Sequence, residues 1–392
     1  MKEIYIPQAA KNIIERLMRA GHEAYIVGGC VRDALLGKEA DDYDITTSAF
    51  PEEVKAIFEK TVDTGISHGT VTVISDGIPY EVTTFRIDGE YRDSRHPVSV
   101  SFTKKVELDQ ARRDFTVNAM CYNDNIGIVD TFGGMADIEN KIIRAVGDAE
   151  KRFEEDALRV FRAIRFSAVL GFEIEEKTDK AVAAYKNSLS NISSERIYVE
   201  WKKLLGGKFA YSILKKYKDV IAVSFPELSE MNIPDRVKFD RLNAEERQIV
   251  LFAANSTSEA FDSAMRRLKV DNKTREFGVS VLNNLALCDS MTDGELKIYL
   301  QNISDAGAIC AATVLWALGK CSESICKRIK KLIELDTPRR ISHLKVGGRD
   351  LISAGLSGED IGRMLSELLR LVALGKLEND KEHLMRYVFE NK

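Results

Sequence analysis

Val27-Gly28-Gly29-Cys30-Val31-Arg32-Asp33, followed by Asp41-Asp42-Tyr43-Asp44-Ile45, decides the reading of this chain. The second segment has the β-leaning composition of a strand, predicted over Asp42 to Thr46. Side chains at i and i+2 of a strand share a face. Asp42 and Asp44 then aim at one point, while Tyr43 and Ile45 face the other way. Two convergent carboxylates suit Mg²⁺, which binds through one or two carboxylates together with substrate phosphates. The glycine pair Gly28 and Gly29 lets backbone approach a triphosphate closely. A strand-borne Asp-x-Asp beside Gly-Gly is a site for metal-assisted nucleotidyl transfer. Alone, Asp-x-Asp is also the mark of an exposed strand end, so its weight comes from the motifs that follow.

The totals bound the answer. A chain of 392 residues holds two or three domains, and 44% hydrophobic with 30% charged residues describes a folded, water-soluble protein. No apolar run reaches membrane-spanning length; Ala306 to Leu318 comes nearest and is short enough for a buried helix. The start Met1-Lys2-Glu3-Ile4 lacks a secretory pattern. The six cysteines have no metal-ligand spacing. Reduced thiols and a cytoplasmic location are expected. A net charge of −4 is unusual for a protein whose whole surface grips nucleic acid. An RNA partner then needs local basic patches.

Periodicity predicts a helix over Ala9 to Ala20, a strand over Glu23 to Val27 and a short helix over Val31 to Leu36. A helix follows over Pro51 to Lys60, then strands over Thr70 to Ile74 and Tyr80 to Arg86, with Gly77-Ile78-Pro79 as the turn. Ile87 to Lys105 reads as a loop. Beyond Gly147 the strand signal fades, Asp156 to Leu170 is strongly helical, and breaks fall at Asp271-Asn272-Lys273 and Asp336-Thr337-Pro338.

Further motifs carry a resemblance. They are Gly28-Gly29-Cys30-Val31-Arg32-Asp33, Asp42-Tyr43-Asp44, Arg112-Arg113-Asp114-Phe115-Thr116-Val117-Asn118-Ala119-Met120 and Asp130-Thr131-Phe132-Gly133-Gly134-Met135-Ala136-Asp137. Glu155-Asp156-Ala157-Leu158-Arg159 and Ser194-Glu195-Arg196 complete the set. In this order the chain resembles the class II tRNA nucleotidyltransferases, relatives of bacterial poly(A) polymerases. The match covers roughly the first 200 residues; the second half resembles the family's helical body and tail loosely. The resemblance implies an α+β protein. Its polymerase-β-like nucleotidyltransferase head, with a mixed five-stranded sheet, spans 1–147. An all-helical neck (148–206), body (207–335) and tail (336–392) follow. It implies addition of C, C and A to tRNA lacking its 3′ CCA, from CTP and ATP with Mg²⁺, and no obligatory protein partner. A poly(A) polymerase of the same fold and a catalytically silent RNA-binding protein are the rival readings.

By the same resemblance, Asp42 and Asp44 hold the metals, and Glu81 is either a third carboxylate or an ordinary exposed strand residue. Arg32 either binds phosphate or pairs with Asp33 or Asp42. Arg113, Asp114 and Asn118 match a ribose and triphosphate motif. Asp156 and Arg159 are either an intrahelical ion pair or a base reader. As a reader, the carboxylate takes the exocyclic amine of cytosine or adenine and the guanidinium meets a ring nitrogen. Glu155 orients Arg159 or caps the helix. Arg162 and Arg165 either line the RNA path or are solvated. Lys202-Lys203, Lys215-Lys216-Lys218, Arg266-Arg267-Lys269 and Lys327-Arg328-Ile329-Lys330-Lys331 are candidate phosphate contacts. The loop around Tyr91, Asp93, Arg95 and Pro97 favours the full C-C-A reaction over C-C addition. No His/Asp metal cluster is read in the second half.

Overall fold

The computed structural model describes residues 4–40, 42–89, 99–335 and 338–392. Contacts divide the chain into two units, Met1–Pro226 and Glu227–Lys392. The expected head and neck both lie in the first unit, as do the first 20 residues of the expected body.

In the first unit, strands β1 (Ala24–Val27), β2 (Asp44–Thr47), β3 (Thr61–Gly65), β4 (Thr70–Ser75), β5 (Ile78–Thr84), β8 (Cys121–Asn123) and β9 (Gly127–Val129) form one sheet. Their order is β3-β4-β5-β2-β1-β8-β9. β2 and β5 run parallel and the other pairs antiparallel. A separate ladder pairs β6 (Arg86–Asp88) with β7 (Val100–Phe102). The segment read as a loop therefore carries strand pairing at both ends. Its central residues, with Tyr91, Asp93, Arg95 and Pro97, lie outside the described ones.

The sheet has seven strands rather than the expected five. Its two edges explain the difference. β3 has no buried residue, and neither has β9. Neither shows the in–out apolar alternation that marks a half-buried strand. The β4–β5 turn also moves. Asp76 and Gly77 both have positive φ, and Ser75 pairs with Ile78. This is a two-residue hairpin loop of the Asp-Gly kind, so Ile78 and Pro79 belong to the strand.

Helices α1 (Gln8–Arg19), α2 (Gly29–Leu35), α3 (Pro51–Ile57), α4 (Val106–Ala111) and α5 (Gly134–Glu139) accompany the sheet. The stripe Ala9, Ala10, Ile13, Ile14 and Leu17 buries one side of α1. Then come α6 (Ala149–Glu155), α7 (Leu158–Leu170), α8 (Glu176–Tyr185) and α9 (Ser194–Gly206). The helix expected from Asp156 starts two residues later, because Asp156 is extended (φ −144°, ψ 100°). Its carboxylate accepts the Leu158 N–H at 3.1 Å. Such side-chain capping competes with helical backbone bonding and separates α6 from α7.

α7 and α9 pack side by side. Just past the end of α9 the backbone approaches α7 at Gly207, where a Cβ would stand 2.4 Å from the Ala168 carbonyl oxygen. Beneath it, Trp201 is fully buried with its ring 4.4 Å from that of Phe225.

The second unit is helical. Around buried Phe252 and Phe261, in edge contact at 5.0 Å, lie helices Ala244–Asn255, Ser258–Arg267, Asn272–Asn283 and Asp305–Ala317. The last is the apolar stretch read as a buried helix. Asp271 caps Asn272–Asn283 by accepting from the Thr274 N–H, so the expected break is a helix start. A C-terminal core of Leu351, Leu368, Leu369, Leu384 and Val388 joins the final three helices. Among the described residues no helix is long and apolar enough to cross a membrane.

The α7–α9 approach is testable with adjacent glycines. Gly207→Ala meets backbone and should cost about 1–3 kcal/mol. Gly206→Ala, in a helix with open space around it, should gain about 0.5–1 kcal/mol. Urea midpoints of the two variants should move in opposite directions.

Candidate active site

β1 ends at Val27, which pairs with Asp44. Gly28 then turns the chain at φ +84° into α2. With no ladder partner beyond this point, β2 begins at Asp44, and Asp42 precedes the strand. Asp42 and Asp44 are both exposed. Ile45 pairs with Val82 on the parallel neighbour. Asp44 and Glu81 each precede that pair by one residue, so they share the opposite face of the sheet. Although part of the Asp44 side chain meets solvent, the protein packed around its carboxyl raises it above its ordinary range; Glu81 and Asp42 add to the rise and Arg113 opposes it. Asp44 thus stands in the negative field of Glu81 and Asp42, a field that a hard divalent cation would neutralise, although the three carboxylates do not bring their oxygens within 4.8 Å of one another.

Opposite them stands a basic group built on a buried acid. Asp109 has no exposed surface and takes Arg112 at 2.8 Å and Arg113 at 3.4 Å. It also accepts from the Arg86 N–H and the Thr46 hydroxyl. Burial works against its charge, yet Arg112 and Arg113 hold its pKa below the usual value. Arg113 thereby lies against Gly28, where a Cβ would come within 3.3 Å of Nη1. Asp109 was not singled out in the sequence. Its signal was the spacing to Arg112 and Arg113, three and four residues along one helical turn.

Arg32 makes the scaffolding choice. Its Nε and Nη2 donate to Asp33 at 2.9 and 2.8 Å, and Nη1 donates to Asn118 Oδ1 at 2.6 Å. Asn118 Nδ2 donates to Asp114 Oδ1 at 3.2 Å. Arg162 donates to Asp114 Oδ2 through Nε (2.8 Å) and Nη2 (2.5 Å). Burial disfavours the Asp114 charge, and Arg162 more than offsets it, pulling the pKa down to about 2. Arg162 and Arg165 both reach Glu200 of α9, at 3.4 and 2.7 Å. Neither is a simply solvated charge. Arg165 is buried and stacks on Phe166, 3.4 Å from the ring centre.

Asp156 and Arg159 do not form an ion pair with each other. Asp156 binds Arg196 of α9 at 3.2 and 2.7 Å. Arg159 is buried, donating to Glu155 at 2.8 Å and to the Arg152 and Arg112 carbonyls at 3.1 and 2.8 Å. Glu155 thus orients Arg159. A cleft of about 630 Å³ opens beside this junction, lined in part by Asp88, Leu108, Arg112, Arg152 and Glu155.

The basic clusters divide. Lys202, Lys203, Lys215, Lys216 and Lys218 are exposed in the first unit, and Lys327, Lys330 and Lys331 in the second. Arg266, Arg267 and Arg328 are paired with Asp262, Glu227 and Asp293, and of the exposed lysines Lys216 is paired with Asp179. One grouping the sequence reading missed is Glu378, Asp380 and His383, whose ligand atoms lie within 4.8 Å of one another. Here Asp380 caps the last helix and accepts from the His383 N–H.

Residues 24–144 match the family model of the poly A polymerase head domain, which places this site among the nucleotidyltransferases. Residues 171–231 match a model described as a probable RNA and SrmB-binding site of polymerase A, and 241–388 the tRNA nucleotidyltransferase domain 2. The CCA-adding enzyme of Leuconostoc mesenteroides is 38% identical over 100% of this chain and 98% of its own length. That of Geobacillus stearothermophilus is 38% identical over 98% and 96%. The crystal structure of the Bacillus stearothermophilus CCA-adding enzyme in complex with CTP superposes with a TM-score of 0.83, at 35% identity, covering 98% of this chain and 96% of that one. The Thermotoga maritima CCA-adding enzyme complexed with tRNA shares the fold, with a TM-score of 0.69 at 21% identity over 100% and 97% of the two chains. The chain belongs to the family of the CCA-adding enzymes.

Asp114 gives a pH test. Its folded pKa lies below the unfolded one, so its stabilisation is complete above the ordinary 3.8 and is lost as pH falls through about 2. The contribution is about 2 kcal/mol. Asp114→Asn should be less stable than the parent at neutral pH, with the gap narrowing between pH 4 and 2 in urea unfolding.

Proposed function

We propose that this chain adds C, C and A in turn to the 3′ end of tRNA, using CTP and ATP and releasing pyrophosphate. The observation that carries the reading is the pairing of Asp44 and Glu81 on one sheet face, in the field of Asp42 just before the strand and of Arg113, which lies against Gly28. The chain's similarity to CCA-adding enzymes along its whole length supports it. Asp42 and Asp44 hold divalent cations, with Mg²⁺ the natural choice for hard carboxylate oxygens and a triphosphate. Metal bound there supplies activation of the attacking 3′-hydroxyl and stabilisation of the leaving oxygen. Glu81 adds to the field that retains it.

Gly28 and Gly29 let the Arg113 and Arg32 guanidiniums come close to the turn, and Arg113 grips the triphosphate oxygens there. Arg32 acts one step back, holding Asn118, which with Asp114 orients the ribose. For the base, donor counting favours Asp156 with Arg159. A carboxylate offers about four acceptor sites, and the Leu158 N–H and two Arg196 N–H groups occupy three. One remains for the exocyclic amine of cytosine or adenine. A guanidinium has five N–H donors; Arg159 uses three on Glu155, Arg152 and Arg112. Its Nε–H and one Nη2–H remain for a ring nitrogen. Uracil and guanine present a carbonyl and a ring N–H in those places and are refused. The exposed lysines of both units meet tRNA phosphates. These substrates imply a cytoplasmic location.

A gel with tRNA lacking its terminus and labelled nucleotides is the direct test: three additions and a stop are expected. A long ladder with ATP alone would mean a poly(A) polymerase. Asp42→Ala with Asp44→Ala should abolish transfer and leave tRNA affinity nearly intact, because RNA binding rests on distant cations; retained transfer overturns the assignment.

Asp156→Ala tests base reading. One hydrogen-bonding pair is worth roughly 1–3 kcal/mol of discrimination. The ratio of kcat/KM for CTP over UTP should fall about tenfold to a hundredfold. An equal loss for both nucleotides would make Asp156 only a cap and an anchor for Arg196.

A further inference from the structure

α9 carries Arg196 and Glu200 four residues apart, hence on one face. They do not pair with each other. Arg196 reaches the Asp156 carboxylate, and Glu200 reaches Arg162 and Arg165. Around the buried Phe166 ring stand three guanidiniums, Arg32 and Arg162 at 5.3 Å and Arg165 at 3.4 Å from its centre. Three carboxylates answer them: Asp33, Asp114 and Glu200. Glu200 is 4% exposed. Taking a carboxylate out of water is costly, and well-packed apolar side chains often stabilise as much as a buried ion pair does. Stability is therefore a poor reason for an acid at this place.

Geometry supplies a better one. Arg162 is a bridge, with Nε and Nη2 on Asp114 and Nη1 on Glu200. The guanidinium is a rigid planar fork. Holding one edge on Glu200 fixes the orientation in which the other edge meets Asp114.

We propose that Glu200 is a positioning residue for the nucleotide: acting through Arg162, it fixes the Asp114 carboxylate, as Arg196 one turn earlier fixes Asp156. One face of the neck helix thus sets both acidic groups. The proposal rests on the reading that Asp114 meets the bound nucleotide. Glu200 acts through Arg162 and Arg165, so its loss acts on nucleotide use and leaves the hold on tRNA unchanged.

The experiment measures KM for CTP, ATP and tRNA separately in Glu200→Gln. About a tenfold rise in both nucleotide values is expected, with the tRNA value unchanged. Because Glu200→Gln leaves Arg165 buried without its counter-charge, the double variant Glu200→Gln, Arg165→Met is measured too. Removing both charges should bring Tm back toward the parent while the nucleotide KM stays raised, since a neutral amide oxygen holds the Arg162 guanidinium more weakly than the carboxylate does. A return of both quantities to parent values overturns the proposal, as does an equal rise in nucleotide and tRNA KM in the single variant. Asp114→Asn separates the two levels. If it leaves nucleotide KM unchanged, the reading of Asp114 fails; if it raises KM while Glu200→Gln does not, the Glu200 proposal alone fails.

Discussion

A carboxylate withdrawn from water must find a cation, and in this site the obligation passes from residue to residue. Asp33 holds Arg32, Arg32 holds Asn118, Asn118 holds Asp114, Asp114 holds Arg162, and Glu200 closes the line with Arg165. The links come from α2, the segment after α4, α7 and α9. Elements far apart in sequence are thereby brought into one register. Leaving any member of such a network unpaired is expensive in a low-dielectric interior. The chain of bonds therefore ties the glycine turn to the neck helices as one assembly. A second buried acid, Asp109, does the same for Arg112 and Arg113, the latter against Gly28.

Much of this was legible in the sequence, for identifiable reasons. Asp44 and the glycine turn were readable because strand geometry and turn chemistry are local; Asp42, expected in the same strand, falls before it, so the shared-face argument does not reach it. The helices α1 and α7 were readable because their apolar residues repeat at helical spacing. The strands β3 and β9 were not, since short edge strands bury little and leave no alternation. The start of α7 was misplaced because Asp156 spends its carboxylate on a backbone N–H, an event that composition does not announce.

The partners of charged residues were the least legible part. Asp156 and Arg159, three apart, read as one pair; each instead chose another partner, Arg196 and Glu155. Arg162 and Arg165 read as exposed or RNA-facing, but the helix carrying them packs against α9, whose Glu200 meets them. Spacing within a helix tells which residues share a face. It does not tell what lies across from that face, and here the answer came from a helix about 40 residues on.

Gly28 has a consequence for how this site can change. The position has a positive φ, and a side chain there would begin 3.3 Å from the Arg113 guanidinium, a tight approach. A substitution there faces two separate obstacles, backbone strain and displacement of a charge that Asp109 has anchored. No single exchange elsewhere relieves both. The turn is therefore isolated in sequence space. Variation in nucleotide preference has a more open route through the residues around α7 and α9, where one side chain can be traded against its partner.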